Sequence, residues 1–171
     1  MDKQLMWICL TIDEGNREEI VSLCRKHMEG LDLSSRFLDF PLHVSLKRSF
    51  YTDAFEKVKK DLCGYMESVP SFEVKGSSLL RTADMLWIGI FDERSKRIHE
   101  EIDLLLKERY DIDIDVFDRN YMPHITLFRD EKKDQLDEIY DRLKREWKDR
   151  TLRFTSFYIG SRVNENEFFE L

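Results

Sequence analysis

An α+β fold of two similar lobes is what this chain predicts, and three observations predict it. The chain has 171 residues, enough for one ordinary domain with a full core. Hydrophobic residues make up 42% of it, 12 phenylalanines among them, which is the composition of a packed globular protein. Its apolar patterning runs strand, helix, histidine-bearing strand, helix, strand, and then repeats that order. We therefore expect a single domain over residues 1–171, made of two pseudo-symmetric lobes.

Taken in order, the elements are as follows. The run MWICLTID predicts a strand over Leu5–Ile12. A helix over Arg17–Met28 follows, opened by the Gly15-Asn16 breaker and closed by Gly30. A loop leads to a strand at Leu42–Ser49 and a helix at Ala54–Met66. Next come a strand over Ser71–Leu80, a strand over Met85–Phe91 and a charged helix over Ser95–Tyr110. A strand at Pro123–Arg129, a helix at Glu131–Lys148, and strands at Leu152–Gly160 and Glu167–Leu171 complete the chain. No Pro/Gly/Ser-rich linker divides it.

Composition removes several function classes. No apolar run approaches the ~18–20 residues of a membrane span. The N-terminal apolar stretch is flanked by acidic residues and lacks a small-residue cleavage site, so it reads as a first strand and not a signal peptide. Cys9, Cys24 and Cys63 are odd in number and show no metal-ligand spacing. They read as free, mostly buried thiols of a cytoplasmic protein. A formal net charge of −7 disfavours a protein that coats nucleic acid nonspecifically. It leaves open a small nucleotide or an RNA terminus held by a few well-placed cations. Six glycines leave little room for a phosphate-cradling glycine loop, and no such pattern occurs.

The chemistry sits in a repeated tripeptide. His43-Val44-Ser45 and His124-Ile125-Thr126 each follow a proline and precede a leucine, Leu46 or Leu127, and the two histidines lie 81 residues apart. On a strand, residues two apart share a face, so each copy presents an imidazole beside a hydroxyl. A lone His-x-Ser is commonplace and usually structural. Duplication in matched contexts is not. Shifting the first half by 81 residues sets Leu5 on Leu86 and Met6 on Trp87, implying a pseudo-twofold axis that brings the two histidine strands together. An imidazole titrates near neutrality, so one of a pair can take a proton while the other gives one. Each positioned acid or base contributes about 10²–10⁴-fold, and Ser45 and Thr126 can hold phosphate oxygens where charge develops.

Around this core lie further candidates for substrate contact. Lys47 shares parity with His43 and Ser45 and could neutralise phosphate charge; like Arg48 and Arg129, it suits a site residue or a solvated charge equally. Phe128 shares parity with His124 and Thr126, and reads more readily as core than as a platform for a base. Arg48 and Arg129 occupy matching strand ends, where a bulge can reset their direction. Tyr121 precedes the second motif and suits ligand contact or loop packing equally. His27 and His99 fall in helices amid charges and read as surface residues. A metal centre is not expected, since no third ligand stands near either motif. The acidic run Asp111–Asp115 reads as solvated loop or exposed strand.

At these motifs the chain resembles the 2H phosphoesterase superfamily, which includes 2'-5' RNA ligase-like proteins and RNA 2',3'-cyclic phosphodiesterases. The resemblance rests on the two His-x-Ser/Thr motifs with their following Leu46 and Leu127, and extends to the strands MWICLTID and FTSFYIG. It implies a bilobal α+β fold with antiparallel sheets around a central cleft and helices outside. It also implies His43 and His124 as the acid/base pair, Ser45 and Thr126 as phosphate holders, and hydrolysis of 2',3'-cyclic phosphates or 2'-5' linkages without metal or other cofactor. Family members often carry an aromatic and a glycine-bearing segment after the histidine strand, where LKRSF and LFRD stand here. Two other readings use the same residues: a module that binds a nucleotide or RNA end without turning it over, and a 2'-5' RNA ligase. A monomer is expected, away from membranes.

Overall fold

The computed structural model describes residues 3–75, 77–162 and 166–171. Strand β1 (Gln4–Ile12) leads to helix α1 (Glu14–Met28) and the short helix α2 (Arg36–Asp39). Then come strand β2 (His43–Thr52), helix α3 (Phe55–Met66), and strands β3 (Phe72–Lys75), β4 (Ser77–Arg81) and β5 (Met85–Ile90). The second half continues with α4 (Glu93–Tyr110), α5 (Val116–Arg119), β6 (His124–Arg129), α6 (Lys133–Glu146), β7 (Thr151–Ser161) and β8 (Glu167–Glu170). The α+β class with an antiparallel sheet is as expected.

The strands form one eight-stranded sheet in the order β3-β7-β1-β2-β6-β5-β4, with β8 also on β7 and every pairing antiparallel. Each half sends its last strand to the other. The first half ends in β4, which pairs with β5, and the second in β7, which pairs with β1. This exchange corrects one expectation: Ser71–Leu80 is two strands at opposite ends of the sheet. Period-two alternation is the same in both pieces, so nothing local reveals that they have different partners.

Helices cover one face. Met6, Ile8, Leu10 and Ile12 of β1 point into a core shared with Ile20 of α1, Leu62 of α3, Ile102 of α4 and Ile139 of α6. The helices start and stop by ordinary capping. Asp13 accepts the Asn16 amide at the head of α1, so the helix begins before Gly15-Asn16, and Gly30 just past its end is left-handed at φ 79°. Asp92 accepts the Ser95 amide at the head of α4. Cys9 and Cys24 are buried free thiols and Cys63 is half-buried. Among the described residues no helix is long and apolar enough to cross a membrane.

Cross-strand pairing defines how the halves correspond. Cys9 faces Ser45 as Trp87 faces Thr126, and Ile8 faces Lys47 as Leu86 faces Phe128. The counterpart of Leu86 is therefore Ile8 and not Leu5, and that of Trp87 is Cys9 and not Met6. The reason is in the connecting helices: α4 has 18 residues and α1 has 15, so a constant shift holds at the histidines and slips on the strands before them.

Candidate active site

Among the described residues, β2 and β6 pair through one bridge, Val44 with Ile125, the central residues of the two motifs. Both are fully buried on the helix side. Extending that register by one residue each way sets His43 opposite Thr126 and Ser45 opposite His124. Directly opposed side chains stand roughly 4.5–5.5 Å apart at Cβ. The four motif side chains thus gather about the pseudo-twofold axis, on the face the helices leave free.

Both imidazoles are held in the same way. His43 Nδ1 lies 2.8 Å from the Pro41 carbonyl oxygen, and His124 Nδ1 lies 2.8 Å from that of Met122. A carbonyl only accepts, so each Nδ1 carries the hydrogen and each Nε2 is left for proton exchange. Their surroundings differ. His43 meets Tyr158 edge-on at 5.5 Å between ring centroids, and burial is the main reason its pKa lies below the ordinary 6.5. The Pro41 hydrogen bond opposes that shift, and the nearby charge of His124 adds to it. His124 meets Trp87 at 5.2 Å.

The hydroxyls have only soft partners. Cys9 Sγ donates to Ser45 Oγ at 3.8 Å, and Thr126 Oγ1 donates to Met85 Sδ at 3.7 Å. Sulfur is a weak hydrogen-bonding atom, so both hydroxyls can turn to a phosphate at little cost. Burial pushes the Cys9 thiol up to about 11, which keeps it protonated as the donor. Trp7 packs on Gly160, where a Cβ would stand 2.1 Å from the indole. Any larger residue there would force the ring to move.

A cavity of about 320 Å³ opens on the His43 side, bounded by Trp7, Cys9, Ser45, Arg48, Arg129 and Tyr158. A larger hollow of about 830 Å³ lies between α1 and the end of α6 and touches neither motif. Of the candidates for substrate contact, Arg48 and Arg129 stand at the smaller cavity. Both are exposed and both line the smaller cavity, Arg48 with its guanidinium 3.9 Å over the Phe117 ring.

Lys47 also lines the smaller cavity, although it is almost wholly buried and ion-paired, while Phe128 and Tyr121 do not line it. Lys47 and Phe128 are 4% and 0% exposed, because β2 and β6 carry matching bulges. Leu46 is the extra residue of one and Leu127 of the other, and each bulge turns the next side chain to the helix side. The Lys47 ammonium meets Asp103 at 2.7 Å and also binds Asp118, while Phe128 joins the apolar core. Tyr121 stacks on His99 at 3.8 Å and donates its hydroxyl to the Ser45 carbonyl at 2.9 Å. His99 itself is 2% exposed, not on the surface. The Asp111–Asp115 run is loop, ending in Asp115 as the cap of α5.

Sequence reasoning missed Trp7, Cys9, Trp87 and Tyr158 as neighbours of the motifs, and His99, Asp103 and Asp118 as a buried group. Trp7 and Cys9 were readable from parity, since they alternate with the core positions of β1. The buried group has a helical signal: His99 and Asp103 are four apart, one step round from Ile98 and Ile102.

A family model described as the 2'-5' RNA ligase superfamily matches residues 18–166. The chain belongs to that superfamily, the 2H phosphoesterases. Solved 2H structures share the fold over nearly the whole chain. Escherichia coli LigT in complex with 3'-AMP is 16% identical, with a TM-score of 0.64 over 99% of this chain and 96% of that one. Kluyveromyces marxianus Usb1 is 15% identical, with a TM-score of 0.57 over 98% of each chain. Thermus thermophilus TT0787 is 14% identical, with a TM-score of 0.63 over 98% of this chain and 94% of that one. No curated protein matches the sequence. Membership of the superfamily makes this chain a phosphodiester-acting protein of the phosphoesterase or RNA-ligase kind.

Proposed function

We propose that this protein hydrolyses 2',3'-cyclic phosphates or 2'-5' phosphodiester bonds of nucleotides or RNA ends, acting as a single-domain monomer through paired-histidine acid/base catalysis without metal. One observation carries the reading. Two imidazoles, each fixed through Nδ1 by the carbonyl two residues back, flank a single bridge with a hydroxyl beside each.

On a cyclic phosphate, water is the nucleophile and a ribose oxygen the leaving group. His43 Nε2, neutral because burial disfavours its charged form, takes a proton from water as the oxygen attacks phosphorus. The bond from phosphorus to one ribose oxygen breaks, and His124 Nε2–H gives that oxygen its proton. The product is a phosphomonoester with a free neighbouring hydroxyl. Ser45 and Thr126 donate to the non-bridging oxygens, and Arg48 and Arg129 bring positive charge to the rim of an otherwise acidic chain. LigT's binding of 3'-AMP supports a nucleoside monophosphate as the kind of product such a cleft releases. Ligation is the same path with a ribose hydroxyl in place of water, and dilute solution favours hydrolysis.

The test is turnover by purified protein in EDTA of a panel of 2',3'-cyclic nucleotides and short 2'-5'-linked oligonucleotides, with the product phosphate located by phosphorus NMR. Hydrolysis of at least one is expected. Folded protein that binds cyclic phosphate and returns it unchanged would establish a binding module instead.

A further inference from the structure

Behind the cleft lies a buried charged cluster that touches β2 and the segment leading into β6. Lys47, His99, Asp103 and Asp118 are each 8% exposed or less. The Lys47 ammonium sits between the two carboxylates, in contact with both, and donates to the Asp113 carbonyl at 3.4 Å. It fills with its own charge the place that His99, Asp103 and Asp118 would otherwise offer a cation. His99 places Nδ1 2.6 Å from the Leu46 carbonyl and Nε2 3.1 Å from the Asp118 carbonyl. Only a ring with a hydrogen on each nitrogen satisfies both. Set between the two carboxylates, the Lys47 ammonium holds them in the low-dielectric interior.

The attachments of this cluster are specific. Leu46, the bulged residue next to Ser45, is held through its carbonyl by His99. Ser45 is held through its carbonyl by the Tyr121 hydroxyl, whose ring lies against His99 at an interplanar angle of 15°. Tyr121 is also tied by its own amide to the Asp118 carbonyl, and its chain runs through Pro123 into His124. One rigid group thus grips the backbone at the phosphate-holding hydroxyl of one half-site and the approach to the histidine of the other. The other half of the molecule has no charge in the same positions. Counted from the capping aspartates, Ile20 and Cys24 stand where His99 and Asp103 do. Leu38 stands in α2 where Asp118 stands in α5, and Phe128 stands where Lys47 does.

We infer that Lys47, His99, Asp103, Asp118 and Tyr121 are positioning residues, which register Ser45 against His124 for the reacting phosphate. The inference rests on the function proposed above. Neither ring nor carboxylate of the cluster touches substrate. It acts by fixing the distance across a seam where a single bridge joins the strands, and displacements of about 1 Å at such sites cost roughly 10²-fold in rate.

The closing experiment uses two variants of the full chain, each assayed beside wild type on the best substrate, with melting temperature and the kcat/KM split recorded. Tyr121→Phe keeps the stacked ring and loses only the hydroxyl on Ser45. We expect kcat to fall about tenfold with KM within about twofold, since positioning acts mainly in the transition state. The apolar variant K47M/H99L/D103L/D118L imitates the other half. It is expected to stay folded, as buried ion groups replaced together by apolar ones commonly do, and to lose about 10²-fold in kcat. A folded apolar variant, or Tyr121→Phe, turning over at the wild-type rate overturns the inference. If wild type itself turns over nothing, the functional reading fails. The positioning is then read from imidazole NMR signals with inorganic phosphate added: a His124 signal moved by Tyr121→Phe upholds it, and an unmoved one overturns it.

Discussion

The two half-sites are the same device built into different surroundings. Each has a histidine fixed through Nδ1, a hydroxyl two residues on, and a bulge that sends the next side chain but one into the core. Tyr158 stands beside His43 and Cys9 beside Ser45, while Trp87 stands beside His124 and Met85 beside Thr126. Below the first bulge is an ion cluster, and below the second an apolar core. The difference teaches that one local geometry can be set in two unlike surroundings. A proton-taking and a proton-giving group require unlike environments, which a perfectly symmetric site would not provide.

The largest effect should come from removing either imidazole. His43→Ala or His124→Ala is expected to lower kcat/KM by about 10³-fold, measured on whichever cyclic phosphate wild type prefers. The double variant should be little worse than either single one, because acid and base act as a unit. Losses that simply multiply would break the idea of one shared site. Next come the hydroxyls: Ser45→Ala and Thr126→Val should each cost about 10²-fold, the scale of one donor lost from a developing anion. An effect confined to one of them would show that the phosphate sits off the axis.

Much of this site was legible because it is local. His-x-Ser on a strand fixes which side chains share a face, and its duplication pointed to a second copy. The bulges were not legible, because a bulge is a mismatch between two strands and leaves no mark in either alone. That is why parity alone set Lys47 beside His43 and Ser45, whereas Phe128 lies in the core as its apolar character suggested. The split of Ser71–Leu80 was hidden for a similar reason, since pairing partners are chosen by topology. His99 was misread because the neighbours Glu100 and Glu101 suggested water, although the register with Ile98 and Ile102 pointed inward.

A smaller effect concerns stability beneath the two bulges. Lys47→Met alone strands two buried carboxylates and should cost about 3–5 kcal/mol, read by chemical denaturation. Asp103 would absorb part of that loss by taking up a proton, since burial already raises its pKa. Phe128→Leu, in the matching place, leaves only a small void and should cost about 1–2 kcal/mol by the volume lost. Equal costs would show that the Lys47 cluster is solvated and that the two halves are alike after all.

The finest comparison is in pH. His43 acts as base only when neutral, and its pKa is lowered chiefly by burial. As pH falls through that pKa, the ring takes a proton and activity is lost, so the acid limb of kcat/KM should have its midpoint below 6.5. Tyr158→Leu opens the edge of His43 to water and weakens the cause of the shift. The midpoint should then rise, toward the ordinary histidine value. Trp87→Leu makes the same change beside His124 and should leave the acid limb where it was. If Trp87→Leu moves that limb and Tyr158→Leu does not, the roles are reversed, with His124 taking the proton from water and His43 giving one to the leaving oxygen.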